Sequence, residues 1–536
     1  MADRQPGRAA LKIPRGRTAT GSIDYLVLSF AELESEVEAW RRRLESSGIR
    51  RGDRTLVMVR QGLPLIASVF ALFAMGAVPV VIDPGMGLRR FLQCVRQARP
   101  VGLVGIPLAR WISRLAWGSF RSLRARVTAP SSLVARCSPP VPAGSRLGAG
   151  LVDTAPDELA AVLFTSGSTG APKGVCYTHG LFDAQVELIR VTYRIEPGEV
   201  DLPLLPIFAL FNPALGMTTV VPEIDPRRPA EVNPEKILQA IQQEQVTNSF
   251  GSPTLWRKIA ARAKDRGVTL PSLRRVLCAG APVPPSLWED SLSLLPGGEL
   301  HSPYGATEAL PISTIGAREV MTETLVRTRE GAGSCVGRPV AGVSVKVIAL
   351  TDDPILSESA LRSCAPGEIG ELVAAGPSVT RTYDGLPEAT ARAKIPGGHT
   401  LPPGAVWHRM GDCGYLDDQG RIWFCGRKVE RVQTAAGPLY TEQIEPLMNQ
   451  HPAVRRSALV GVGPVGRQRP VLVVEVNPGQ RADRALADEL EAFARRHPLT
   501  SRLEAILFHP GLPVDVRHNA KIHRLTLARW AARQRV

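Results

Sequence analysis

Lysine is scarce in this chain, aromatic residues are few, and no cysteine pairs with another at a redox or metal-motif spacing. Only nine lysines accompany 56 arginines, and the aromatic fraction is 5%. A formal charge of +15 could point to a polyanionic partner,. The arginines read as scattered, with no long basic block and no interleaved aromatic platform on which bases could stack. A solvated basic surface is the plain reading, attraction to anionic substrates or partner proteins the weaker one, and no nucleic-acid partner is expected. The eight cysteines form no Cys-x-x-Cys, and none sits with His at zinc-finger spacing,. They read as free thiols in a reducing cytoplasm. Residues 1–21 are basic, contain Pro and Gly, and lack an apolar core, so they read as a disordered tail rather than a signal peptide,. One apolar stretch, Leu63 to Ile82, is divided by Gly76 and Pro79 into a helix and a strand. No transmembrane segment is expected.

A chain of 536 residues is too long for one core,. Ser29-x-x-Glu32 reads as a capping box, and Leu33, Val37, Trp40 and Leu44 then form one apolar helix face that Gly48 stops,. Strands are expected at Thr55–Val59, Val78–Ile82, Val246–Phe250 and Arg275–Cys278, with a helix at Pro253–Ala263. Helices alternating with apolar strands mean parallel sheets covered on both faces, an α/β fold. Residues 129–150, rich in Pro, Ser and Gly, read as a loose surface excursion. From Val343 short alternating strands suggest a small β subdomain. After Arg427 a compact α/β unit begins, with a helix near Thr441–Asn449, strands at Ser457–Val462 and Val471–Val476, and a helix at Ala485–Arg496. The expected division is a tail at 1–21, a large N-terminal domain at 22–428 and a small C-terminal lid domain at 429–536.

The chemistry is concentrated in Thr165-Ser166-Gly167-Ser168-Thr169-Gly170-Ala171-Pro172-Lys173-Gly174, which follows the apolar run Leu159–Phe164. Hydroxyls, approachable glycine N–H groups and one cation are what a polyphosphate needs. The spacing is not that of a Walker A loop, because Gly follows Lys173. Four further stretches stand in order behind it: Tyr304-Gly305-Ala306-Thr307-Glu308, Trp407-His408-Arg409-Met410-Gly411-Asp412, Gly420 to Lys428, and Asn519-Ala520-Lys521-Ile522.

These five motifs, over nearly the whole chain, resemble those of the adenylate-forming (ANL, AMP-binding) superfamily. The resemblance implies parallel α/β subdomains plus a small β subdomain, and a small mobile α/β C-terminal domain. It also implies ATP and Mg²⁺ as cofactors and a set of site residues. Thr165, Ser166, Gly167, Ser168, Thr169, Gly170 and Lys173 would hold the β/γ-phosphates. Gly280, Ala281, Pro282 and Gly305 would join the nucleotide site, and Tyr304 would stack on adenine. Thr307 would contact the α-phosphate and Glu308 would be the metal ligand. Asp412 would accept both ribose hydroxyls, with Arg427 assisting, and Lys521 would reach in from the C-terminal domain to the reacting carboxylate.

Departures narrow the resemblance. Ala209 in Pro206-Ile207-Phe208-Ala209 stands where many acyl-CoA ligases carry His. Val429 and Glu430 occupy the hinge, and Gln433–Pro438 differs from the turn that helps form the pantetheine route. Segments Val80–Gly87, Leu210–Gly216, Ala306–Pro311, His408–Lys428 and Pro513–Arg524 are similar to the OleC-type β-lactone synthetases of bacterial olefin biosynthesis. That family adenylates a 2-alkyl-3-hydroxy acid, whose own hydroxyl displaces AMP. A small-molecule hydroxy fatty acid substrate, a cytoplasmic setting and a complex with olefin-pathway enzymes are implied. A fatty acyl-CoA ligase or an acyl-AMP ligase is the alternative.

Overall fold

The computed structural model describes residues 1–137, 146–165, 172–225, 231–514 and 522–534. The apolar runs become buried parallel strands. Val78–Ile82 lies between Arg54–Met58 and Leu159–Thr165 in a six-stranded sheet. That sheet is parallel except for its last strand, Lys173–Thr178, which returns antiparallel to Leu159–Thr165. A nine-stranded sheet runs from Arg338–Pro339 to Ile23–Ser29, with Glu299–Ala306, Arg275–Cys278, Asn248–Gly251 and Val200–Pro203 parallel at its centre. A third sheet is the small β subdomain, antiparallel throughout and built around Val406–Leu416. The first helix, Phe30–Ser46, starts on the expected capping box. Ser29 Oγ accepts from the Glu32 amide at 3.2 Å, and Glu32 Oε2 accepts from the Ser29 amide at 2.8 Å. Its expected apolar face, including a fully buried Trp40, packs inward.

After Arg427 the expected compact unit is present. Strands Val454–Val462, Arg469–Val476 and Ala505–Phe508 form one sheet, with helices Thr441–Met448, Arg484–Ala494 and Arg524–Ala531. The turn at 433–438 is a hairpin, Val432–Thr434 against Gly437–Leu439. Arg524 ties this unit internally, with Nη2 on Glu445 at 2.6 Å and Nη1 on Glu430 at 3.0 Å. It docks on the N-terminal part through Ser334 Oγ to Glu442 Oε2 at 2.8 Å and Gln443 Nε2 to the Gly331 carbonyl at 3.0 Å.

Two expectations are corrected. Residues 1–21 are not a disordered tail. Ala9–Arg17 is a strand paired parallel to Thr218–Val220 and antiparallel to Ile23–Ser29, with Ala10, Leu11 and Ile13 buried. Its apolar side chains are few, and one partner strand lies some two hundred positions away, so no local pattern announces it. Lys12 fits the strand because its Nζ pairs with Glu244 at 2.5 Å. The second correction concerns 129–150, whose described part is anchored. Ala129 and Cys137 are buried, the Leu133 carbonyl accepts from the Leu63 amide at 2.9 Å, and Cys137 N donates to Glu36 Oε2 at 2.9 Å.

Ile13→Ala tests the first correction. Emptying a fully buried isoleucine site should cost about 2–5 kcal/mol, read by urea unfolding. A change within experimental error would mean that the strand adds nothing to stability.

Candidate active site

Strand ends from all three N-terminal sheets meet at one place. Thr165 ends its strand opposite Lys173, where the phosphate-type loop leaves the six-stranded sheet. Gly280, Ala281 and Pro282 follow the C-terminal end of strand Arg275–Cys278, with Gly280 at φ 99°. Tyr304 and Gly305 lie near the end of Glu299–Ala306, and Thr307 and Glu308 make the turn into Ala309–Gly316. Gly305 has a steric reason: a Cβ there would lie 2.6 Å from the Ala309 carbonyl oxygen. Ser166, Gly167, Ser168, Thr169 and Gly170 lie outside the described residues, as does Lys521.

Asp412 sits at the centre of one cluster and is buried. Tyr304 Oη donates to Asp412 Oδ2 at 2.6 Å, and Arg427 Nη1 lies 2.8 Å from Asp412 Oδ1. Arg427 is the cross-strand neighbour of Asp412 in the β subdomain. Attraction to Asp412 pushes the Arg427 guanidinium pKa up, whereas burial and the same carboxylate push the Tyr304 phenol up. A carboxylate has about four acceptor sites, so Asp412 can take further hydroxyl donors while keeping both partners.

A second cluster joins Lys173 to Glu308 through residues that no motif reveals. Segment 379–384 is laid between the two sheets. Val379 bridges Ala309, Tyr383 bridges Val175, and the Asp384 amide donates to the Gly174 carbonyl at 2.7 Å. Tyr383 Oη donates to Glu308 Oε1 at 2.8 Å, and Lys173 Nζ lies 4.8 Å from the centroid of the same ring. Tyr177 Oη donates to the Thr307 carbonyl. Lys394 is buried behind this group, its Nζ donating to Thr380 Oγ1 at 3.0 Å. Burial lowers the Lys394 pKa to about 7, aided by Lys173 and opposed by Glu308. His408, buried beside it, is pushed well below its usual value by burial and then by Lys394. Lys394 carries no spacing signal, and only the fold brings it here.

An apolar pocket shares a wall with the Tyr304 motif. Tyr193, Phe208, Phe211, Phe250, Leu277 and Leu310 line a cavity of about 50 Å³. Phe208 stacks on Phe250 with ring centroids 3.6 Å apart. Polar groups close one side of it. Asn212 Nδ2 and Asn248 Nδ2 donate to the two Asp201 oxygens at 2.8 and 2.6 Å, and burial raises the Asp201 pKa to about 6. Ala209, next to Phe208 in sequence, is buried.

Parallel α/β layers, a small β subdomain and this convergence of strand ends define an adenylate-forming enzyme. The chain belongs to the AMP-binding enzyme family, whose profile matches residues 2–384. It is 46% identical, over 100% of this chain and 97% of the relative, to the olefin beta-lactone synthetase of Xanthomonas campestris pv. campestris. It is 45% identical, over 99% and 96%, to the protein of the same name in Stenotrophomonas maltophilia. Among solved structures, the amide bond synthetase McbA from Marinactinospora thermotolerans superposes with a TM-score of 0.78 at 24% identity, covering 98% of this chain and 97% of that one. ATP-bound MatB from Rhodopseudomonas palustris gives 0.77 at 19%, covering 98% and 96%. Both likenesses confirm the fold.

Lys394→Met gives a pH test. A lysine whose folded pKa is lowered from 10.5 to about 7 costs stability as pH falls through that window,. The mutant should therefore gain on wild type at pH 7 relative to pH 9.5, by at least about 1 kcal/mol given 1.36 kcal/mol per pKa unit. Unfolding both proteins in urea at the two pH values reads this. An equal difference at both would mean that Lys394 is not desolvated.

Proposed function

We propose that this enzyme activates a 2-alkyl-3-hydroxy carboxylic acid with ATP and closes it to a β-lactone, releasing pyrophosphate and then AMP. The full-length likeness to two olefin beta-lactone synthetases carries this reading. The site chemistry supports it. A carboxylate oxygen attacks the α-phosphorus and pyrophosphate leaves. The 3-hydroxyl oxygen then attacks the acyl carbon, loses its proton, and AMP departs with the carboxylate oxygen. The second nucleophile is part of the substrate, so proximity is built in and no external thiol is required.

In this reading the Thr165–Lys173 loop holds the β/γ-phosphates, with Gly280, Ala281, Pro282 and Gly305 lining the nucleotide. Tyr304 stacks on adenine, while Asp412 and Arg427 hold the ribose. Thr307 approaches the α-phosphate. Glu308 serves as the Mg²⁺ ligand, and the donor set fits: Mg²⁺ favours one or two carboxylates completed by phosphate oxygens and water. The ion would neutralise charge on the phosphates. Lys521 places positive charge on the oxygens where charge develops. The Phe208–Phe250 pocket takes an alkyl chain. The reaction belongs in the cytoplasm, where ATP is available, and a complex with enzymes supplying the hydroxy acid fits the same setting.

Mass spectrometry of products from ATP, Mg²⁺ and a 2-alkyl-3-hydroxy acid, with and without coenzyme A, tests the function. The expected product is the lactone, at a rate indifferent to coenzyme A. Thioester formation that outpaces lactone would establish an acyl-CoA ligase instead. Lys521→Ala should keep the wild-type melting temperature and ATP affinity but lose about 10²–10³ in adenylation rate, the usual cost of removing one preorganised charge donor. Near-wild-type adenylation would remove Lys521 from the reaction.

A further inference from the structure

The arginines are not evenly spread. Between Pro84 and Val152 the chain carries eleven arginines and no Asp, Glu or Lys. Two of the eleven are neutralised from elsewhere, Arg136 by Glu32 and Glu36, and Arg146 by Asp3. Among the described residues, the other nine, from Arg89 to Arg126, make no ion pair with a carboxylate.

Large apolar side chains stand exposed in the same region. Helix Pro107–Leu115 turns its small residues, Ala109 and Ser113, toward the protein. Leu108, Trp111 and Leu115, at i, i+3 and i+7, share the opposite face and are 64, 65 and 72% exposed,. Trp117, in the following turn Trp117–Ser119, is 64% exposed. The chain's six other tryptophans are buried or half-buried. Arginines border this patch. The Arg121 guanidinium lies 4.9 Å from the Trp117 ring centroid, Arg96 Nη1 donates to Ser119 Oγ at 2.9 Å, and Arg114 is exposed on the helix itself. A surface helix ordinarily buries its large apolar side chains; this one packs Ile112 against the core but leaves Leu108, Trp111 and Leu115 exposed. Contiguous exposed apolar surface rimmed by charge marks an interaction site.

We propose that helix Pro107–Leu115 and turn Trp117–Ser119 form an interfacial docking surface for a bilayer containing anionic phospholipid. Tryptophan favours the headgroup level, leucine enters the acyl boundary, and arginine meets lipid phosphate. The 69 consecutive positions that include the patch contribute no carboxylate of their own to repel such a surface. Nine residues of helix extend about 13 Å, so this element lies in the interface, and no described helix is long and apolar enough to cross a membrane. The helix leaves the C-terminal end of strand Gly102–Gly105, the same edge at which Leu159–Thr165 delivers the phosphate-type loop. Docking there would present the site to a long-chain acid dissolved in the bilayer; this last step rests on the function proposed above.

Co-sedimentation of the full chain with vesicles tests the proposal. Wild type should bind vesicles containing phosphatidylglycerol, with a blue shift in tryptophan emission, and should bind pure phosphatidylcholine vesicles far more weakly. High salt should weaken the binding. The double variants Trp111→Ser/Trp117→Ser and Arg121→Glu/Arg124→Glu should each lose at least tenfold in vesicle affinity. Both should release AMP at the wild-type rate from ATP and a short, water-soluble 3-hydroxy acid. Failure of wild type to bind anionic vesicles, or equal binding by wild type and variants, overturns the proposal. So does a change in self-association, or in capture of an acidic protein, with vesicle binding intact. Salt-sensitive vesicle binding by a protein that turns over no hydroxy acid would support the docking surface and count against the proposed reaction.

Discussion

Burying a carboxylate requires partners, and Asp412 has them from two directions. Its oxygens meet the Tyr304 phenol from the nine-stranded sheet and the Arg427 guanidinium from its own subdomain. An isolated buried carboxylate would be costly, whereas a paired one fixes the geometry of everything that pairs with it. Here it ties the nine-stranded sheet to the β subdomain through one buried hydrogen bond. It also fixes the start of the C-terminal unit, because the residue after Arg427 is held the same way. Lys428 Nζ lies 3.1 Å from buried Glu371, which also binds Arg409 Nη2 at 2.6 Å. Two buried carboxylates on neighbouring strands thus anchor the stem from which the C-terminal α/β unit extends.

The second junction works through backbone. Segment 379–384 pairs with both Val175 and Ala309, so the strand carrying Lys173 cannot shift without moving the turn that carries Glu308. Arg54 completes the clamp, its Nη2 lying 2.7 Å from Asp384 Oδ1. Lys173 and Glu308 thus meet the same aromatic residue, Tyr383: the ammonium lies 4.8 Å from its ring centroid and the carboxylate accepts from its hydroxyl.

Local patterns made much of this legible. The Ser29 capping box and the strand Arg275–Cys278 occur where the sequence places them, because caps and apolar runs act over a few residues. Motif order identified the family because nucleotide chemistry constrains residue type and spacing together. Ala9–Arg17 was hidden because its stability comes from Thr218–Val220, far along the chain. Tyr383 and Lys394 were hidden because neither sits in a spaced motif; topology alone carries them to Glu308. The arginines misled for a different reason. Whole-chain composition averages over a carboxylate-free stretch that becomes meaningful only when Trp111 and Trp117 are seen to be exposed.

An oxygen label follows the chemistry atom by atom. The 3-hydroxy acid would be prepared with both carboxylate oxygens as the heavy isotope and turned over once with ATP and Mg²⁺. Attack by the carboxylate on the α-phosphorus, followed by ring closure through the 3-hydroxyl, sends one heavy oxygen into AMP and leaves the other in the lactone carbonyl. Mass spectrometry of AMP should therefore show a single heavy oxygen. Unlabelled AMP beside a lactone that retains both heavy oxygens would mean that the hydroxyl, not the carboxylate, is activated, and would contradict acyl-adenylate formation at this site.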